Sequence, residues 1–105
     1  MAYKWPDKDK DEIVDFSIDW SRFLGTDTIS SVAWFVNDGD DVKEELSDNE
    51  TVFGLRFIQG SNTTTVSTAR FADGTNNIRY TVTCRIVTAQ GLQYERAVFL
   101  RVREK

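Results

Sequence analysis

The sequence predicts an all-β fold: an antiparallel two-sheet β-sandwich with immunoglobulin-like Greek-key connections and about seven strands. Two observations predict it. Apolar and polar residues alternate with period two over several short runs, the period of a half-buried strand. Between those runs, turn chemistry rich in Gly, Asn and Asp recurs at roughly eight- to twelve-residue spacing.

Residues 1–12, MAYKWPDKDKDE, read as a polar, solvated lead-in, because Asp7 to Glu12 mix charges with no apolar period. Residues 13–105 read as a single domain of ordinary size. In VDFSIDW, Val14, Phe16, Ile18 and Trp20 share one face, and Asp15, Ser17 and Asp19 share the other. Residues 21–25 read as a turn, or a single helical turn closed by Gly25. TISSVAWFV resumes the alternation, with Val32, Trp34 and Val36 aligned and Ala33 and Phe35 opposite. Residues 37–50 carry seven acids and one lysine and read as a long acidic loop, with a short helix over 41–46 as the alternative. TVFGLRFI (51–58) reads as a strand broken by a bulge at Gly54, Gly60-Ser61-Asn62 as a turn, and TTTVSTARF (63–71) as a strand. After a turn over 72–77, Ile78, Tyr80, Val82, Cys84 and Ile86 alternate inward. The last strand does the same with Val98, Leu100 and Val102. Matching these apolar faces sets Cys84 opposite Val98, Val82 opposite Leu100 and Tyr80 opposite Val102, leaving Gln90-Gly91-Leu92 as a three-residue loop. Trp20, Trp34, Tyr80, Val82 and Cys84 form the expected structural core.

Composition excludes much chemistry. The 105 residues contain no histidine and one cysteine, which removes the commonest general base, the usual nucleophile pairings and a structural zinc site. No glycine-rich phosphate loop or dinucleotide fingerprint is present, so no cofactor is expected. Asp15 and Asp19, four residues apart on one strand, stand at about 13 Å, beyond the roughly 5 to 9.5 Å of glycosidic carboxylate pairs. The acids from Asp7 onward fail as a calcium loop, because Glu12 and Ile18 stand where glycine and glutamate are needed. Asp38-Gly39-Asp40-Asp41 is at most a weak cation cluster. No apolar run is long enough to span a membrane, and the N-terminus lacks the apolar core of a signal peptide. An isoelectric point near 4.7 argues against nucleic acid. The first fifty residues carry fourteen acids and five bases, and the rest three acids and eight bases. The two halves either interleave and neutralise each other or make a bipolar surface that favours stacking between copies.

Read in order, KWPDKDKDE, DFSIDWSRFLGTDTI, VAWFV, STARFADGTNNIRYTVTCRIVTAQG and ERAVFLRVRE form a series. The series resembles a family of small, Ig-like, tail-associated structural proteins of double-stranded DNA bacteriophages and prophages, sometimes described as fiber–tail adaptors. The resemblance rests on Asp19-Trp20, Leu24 to Ile29, Trp34, Gly74-Thr75, Tyr80 to Thr83 and Arg96 to Arg103, and departs from the family pattern in the middle, over 37–50 and VFGLRFIQGS (52–61). It implies a non-enzymatic virion or assembly component, found in the tail or in the host cytoplasm during assembly. Its partners would be other tail or virion proteins, with self-association, and neither nucleic acid nor membrane. It also implies that Asp19 and Asp27 form turns and caps. Tyr80-x-Val82 is similar to the tyrosine-corner position of immunoglobulin-like domains. Tyr3 and Trp5, aromatics beside Lys4, are candidate interface residues, as are Phe35 and Phe99, which face away from the core sides of their strands. If exposed, Phe35 and Phe99 would mark an oligomer interface or a sugar platform. The sugar platform belongs to the alternative reading, an Ig-like or carbohydrate-binding module of a bacterial surface protein.

Overall fold

The computed structural model describes residues 3–37 and 44–104. Its strands are β1 (Tyr3–Lys4), β2 (Val14–Asp19), β3 (Ile29–Asn37), β4 (Glu44–Glu45), β5 (Glu50–Val52), β6 (Leu55–Asn62), β7 (Val66–Asp73), β8 (Ile78–Thr88) and β9 (Gln93–Val102), with helix α1 (Ser21–Leu24) between β2 and β3. They form two sheets, ordered β1-β9-β8-β3-β4 and β2-β7-β6-β5. All pairs are antiparallel except β1, which lies parallel to β9. The chain crosses between sheets after β1, after β2, after β4 and after β7, as in an immunoglobulin-like Greek key. The strand count exceeds seven because the two-residue β1 and β4 are added at sheet edges.

Period-two patterning places the core. In β2, Phe16 and Ile18 turn inward while Asp15, Ser17 and Asp19 face out. Trp20, Trp34, Tyr80, Val82 and Cys84 are all buried between the sheets. The indole Nε1 of Trp20 donates to Ser67 Oγ at 2.9 Å, and that hydroxyl lies 3.4 Å from Cys84 Sγ. The inward polar atoms of β7 and β8 are thereby paired across the sheets. The Tyr80 hydroxyl donates to Phe53 O at 2.6 Å and accepts the Thr75 N–H at 3.0 Å, closing the end of the sandwich as a tyrosine corner does.

Four local expectations are corrected. Residues 3–8 do not lie in solvent: they run along β9, with Trp5 N–H donating to Phe99 O and Lys8 N–H to Arg101 O. Lys8 is buried because its ammonium donates to Asp9 O at 2.8 Å and Asp73 O at 2.7 Å, which compensates the burial of its charge. Gly54 is no bulge. Val52 pairs with Leu55, so Phe53-Gly54 is a two-residue hairpin loop with both φ positive, at 54° and 83°. Residues 60–62 continue β6, and the turn falls at 63–65, where the Thr63 hydroxyl accepts the Thr65 and Val66 N–H groups. In the 37–50 stretch, Glu44 and Glu45 pair with Val36 and Phe35 in place of the alternative helix, and Leu46 is buried; residues 38–43, with the first half of that helix, lie outside the described residues.

The final hairpin is also shifted. Val82 faces Val98, Tyr80 faces Leu100 and Cys84 faces Arg96. The slip is two residues, which keeps every apolar side chain on its face, so face matching cannot detect it. The loop is Ala89-Gln90-Gly91. Gly91 N–H bonds Thr88 O at 3.0 Å and Gly91 takes φ 87°, so glycine occupies the last loop position, the left-handed one of a three-residue hairpin.

Candidate interaction surfaces

The carboxylates singled out by sequence are held in local structure. Asp15 pairs in parallel with Arg70 on β7, Nε–Oδ1 at 2.8 Å and Nη2–Oδ2 at 3.1 Å. That hydrogen-bonded guanidinium lowers the carboxyl pKa below the ordinary value. Asp19 accepts the Ser21 N–H at 2.9 Å at the start of α1, and the same bond lowers its pKa. Asp27 accepts the Thr28 N–H at 2.8 Å; the Thr88 hydroxyl, more than the backbone, lowers its pKa. Asp19 therefore forms a local turn with Ser21 and Asp27 ties the Thr28 backbone to Thr88, while neither caps α1, whose N-cap is Trp20. Cys84 is inert as a nucleophile, since burial pushes its thiol up to about 12. Among the described residues no three His, Cys, Asp or Glu side chains gather as a metal site; Asp38, Asp40 and Asp41 lie outside them.

Of the four aromatics expected at an interface, the three with described side chains pack against this chain's own residues. Trp5 is 8% exposed, stacks on Phe16 at 4.8 Å with planes 10° apart, and donates its Nε1 to Ser17 O at 3.2 Å. It belongs to the core, because the β1 segment carries it over the gap between the sheets. The Tyr3 side chain lies outside the described residues. Phe35 is buried, with the Arg85 guanidinium 4.7 Å from its ring centre. Phe99 is half-buried, with Arg79 at 4.4 Å. Both rings are covered by cations from the neighbouring strand β8, so neither offers a bare face for a sugar.

The exposed large apolar side chains lie elsewhere, at the two ends. Phe23, on α1, and Leu92, just after the β8–β9 loop, are 48% and 49% exposed. Their loops are joined by Ala89 N–H to Thr28 O, and Arg96 lies 4.4 Å over the Phe23 ring. Ile13 and Phe53 are exposed at the opposite end, near the Gly74 N–H to Gly54 O bond. Periodicity could not find these four, because they fall in turns and strand flanks where it carries no signal.

The open sides of the sandwich hold two clefts. One, of about 270 Å³, lies between β1 and β2, lined by Lys4, Trp5, Ile18, Asp19 and Val98. The other, of about 200 Å³, lies between β3 and β6, where Trp34, Phe57 and Gly60 form the floor and Glu45, Asp48 and Asn62 the rim.

No helix among the described residues is long and apolar enough to cross a membrane. No match was found among the curated proteins. The family described as podophage GP4 fiber-tail adaptor protein gp77 matches residues 8–101, a span running from the buried Lys8 almost to the end of β9. With β2 to β8 and all but the last residue of β9 inside that span, the chain belongs to the podophage GP4 fiber-tail adaptor gp77 family.

Proposed function

We propose that the protein is a structural component of a phage tail that helps join fiber to tail through protein–protein contacts and catalyses no reaction. The observation that carries this reading is the family match over residues 8–101, which takes in both sheets except the edge strand β1 and the last residue of β9. The arrangement of the chain supports it. Asp15, Asp19 and Asp27, the carboxylates that the sequence singled out, are held in an ion pair and in backbone hydrogen bonds, and the thiol of Cys84 is buried. What it presents outward are end loops, two side clefts and a charged surface, the means of a binding module.

The test is mass spectrometry of gradient-purified particles induced from the source bacterium. The tryptic peptide spanning residues 57–70, FIQGSNTTTVSTAR, is expected at stoichiometric levels relative to other tail proteins. Abundant protein in the lysate with none in infectious particles would overturn the tail reading.

A further inference from the structure

Three indoles are buried in this sandwich, and two have acceptors: Trp5 Nε1 bonds Ser17 O and Trp20 Nε1 bonds Ser67 Oγ. The third does not. Trp34 is 3% exposed, and its Nε1 meets no acceptor among the described residues. A buried donor left unmet costs about 1–3 kcal/mol, so such groups are normally paired. This donor borders the cleft between β3 and β6. Gly60 keeps it open, since a Cβ there would sit 3.0 Å from Nε1 and 3.3 Å from the Phe57 ring.

The strands beside the cleft have unpaired lengths. β4 covers Phe35 and Val36 of β3, with Leu46 N–H adding Trp34 O, and β5 covers β6 from Leu55 to Phe57, with Asn49 N–H adding Ile58 O. From Gln59 to Asn62, β6 is exposed and, among the described residues, pairs on one side only, with β7. An open edge of this kind accepts an added strand. The rim is acidic, with Glu45 and Asp48 exposed and neither in an ion pair with a described residue.

We propose that this cleft docks an extended, basic segment of a neighbouring tail protein. The segment lays its main chain along the open edge of β6, presents a carbonyl oxygen to Trp34 Nε1, and sets Lys or Arg side chains against Glu45 and Asp48. Its main chain supplies the acceptor, and its charge complements the rim. A sugar fits less well, because the cleft exposes the edge of an indole and no aromatic face.

The inference rests on the tail reading above, and its test separates the two. A photo-crosslinking residue is placed at Ser61, exposed on the cleft side of β6, and as a control at Arg101, exposed on β9. Particles carrying each are irradiated and digested. Position 61 is expected to crosslink to a Lys- or Arg-rich peptide of one neighbouring tail protein, and position 101 to give no crosslink to that peptide. Gly60→Ala, which fills the cleft, and Asp48→Lys, which reverses the rim charge without touching the core, should each lower the yield about tenfold, the effect of roughly 1.4 kcal/mol. Protein present in particles with no crosslink from position 61, crosslinking that survives both variants, or crosslinks to polysaccharide would overturn the cleft. Absence of the protein from particles overturns the tail reading itself.

Discussion

Tyr80 carries more than its ring. Its hydroxyl holds Phe53 O and the Thr75 N–H together, and so ties the β5–β6 turn to the β7–β8 turn at one end of the sandwich. Tyr80→Phe keeps the packing and orphans both backbone groups. The expected loss is about 1–3 kcal/mol, read as a lower urea midpoint with an unchanged slope. Trp5 makes a larger claim. A surface aromatic replaced by alanine changes stability by under about 0.5 kcal/mol, whereas a buried one costs roughly 3–5. Stacked on Phe16 and near Trp34 and Phe71, Trp5→Ala belongs to the second class. A loss below about 1 kcal/mol in urea unfolding would return Trp5 to the surface. Nothing in MAYKWPDKDKDE marks this tryptophan as internal, since its partners Phe16, Trp34 and Phe71 are brought to it only by tertiary folding.

At the scale of elements, what could be read from sequence was what alternates. The faces of β2, β3, β8 and β9 follow from period two, as does the burial of Trp20, Trp34, Tyr80, Val82 and Cys84, because one side of each strand must leave water. Register does not follow from it, since a slip of two residues conserves every face. In the β8–β9 hairpin the information lies in Gly91. Only the pairing of Val82 with Val98 puts that glycine at the left-handed position. A Cβ on Gly91 meets nothing within 4 Å, so Gly91→Ala should cost only its backbone strain, about 1–2 kcal/mol, whereas Gln90→Ala should be near neutral. Equal effects in thermal melts would contradict the observed register. The candidate site was less legible still. The alternation of β3 places Trp34 inward but says nothing of whether its N–H finds an acceptor, and that depends on Gly60, twenty-six residues away.

At the scale of the molecule, the acidic first half and basic second half interleave. Asp15 on β2 meets Arg70 on β7, and Asp7 lies 3.6 Å from Arg103 beyond β9. Folding therefore couples to pH through groups that join distant parts of the chain. Asp15, Asp19 and Asp27 all have folded pKa values below the ordinary 3.8, owing respectively to Arg70, to Ser21 and to Thr88. A depressed carboxyl pKa contributes stability that is complete above the unfolded value and is lost as pH falls through the folded value. The urea midpoint should accordingly hold from neutral pH to about 4 and drop below it, and Asp15→Asn combined with Asp27→Asn should flatten that drop. Lys8 works at the other limit. Burial lowers its pKa from 10.5, the carboxylates of Asp73 and Glu12 opposing the shift only in part. The folded state then binds fewer protons than the unfolded one between the lowered value and 10.5, so this group adds stability as pH rises through that window. Lys8→Met removes that alkaline gain and leaves the carbonyls of Asp9 and Asp73 without their donor, lowering stability at neutral pH. A Lys8→Met variant as stable as the parent at pH 7, with the same alkaline profile, would show that the β1 segment is held by Trp5 and its strand pairing to β9 alone.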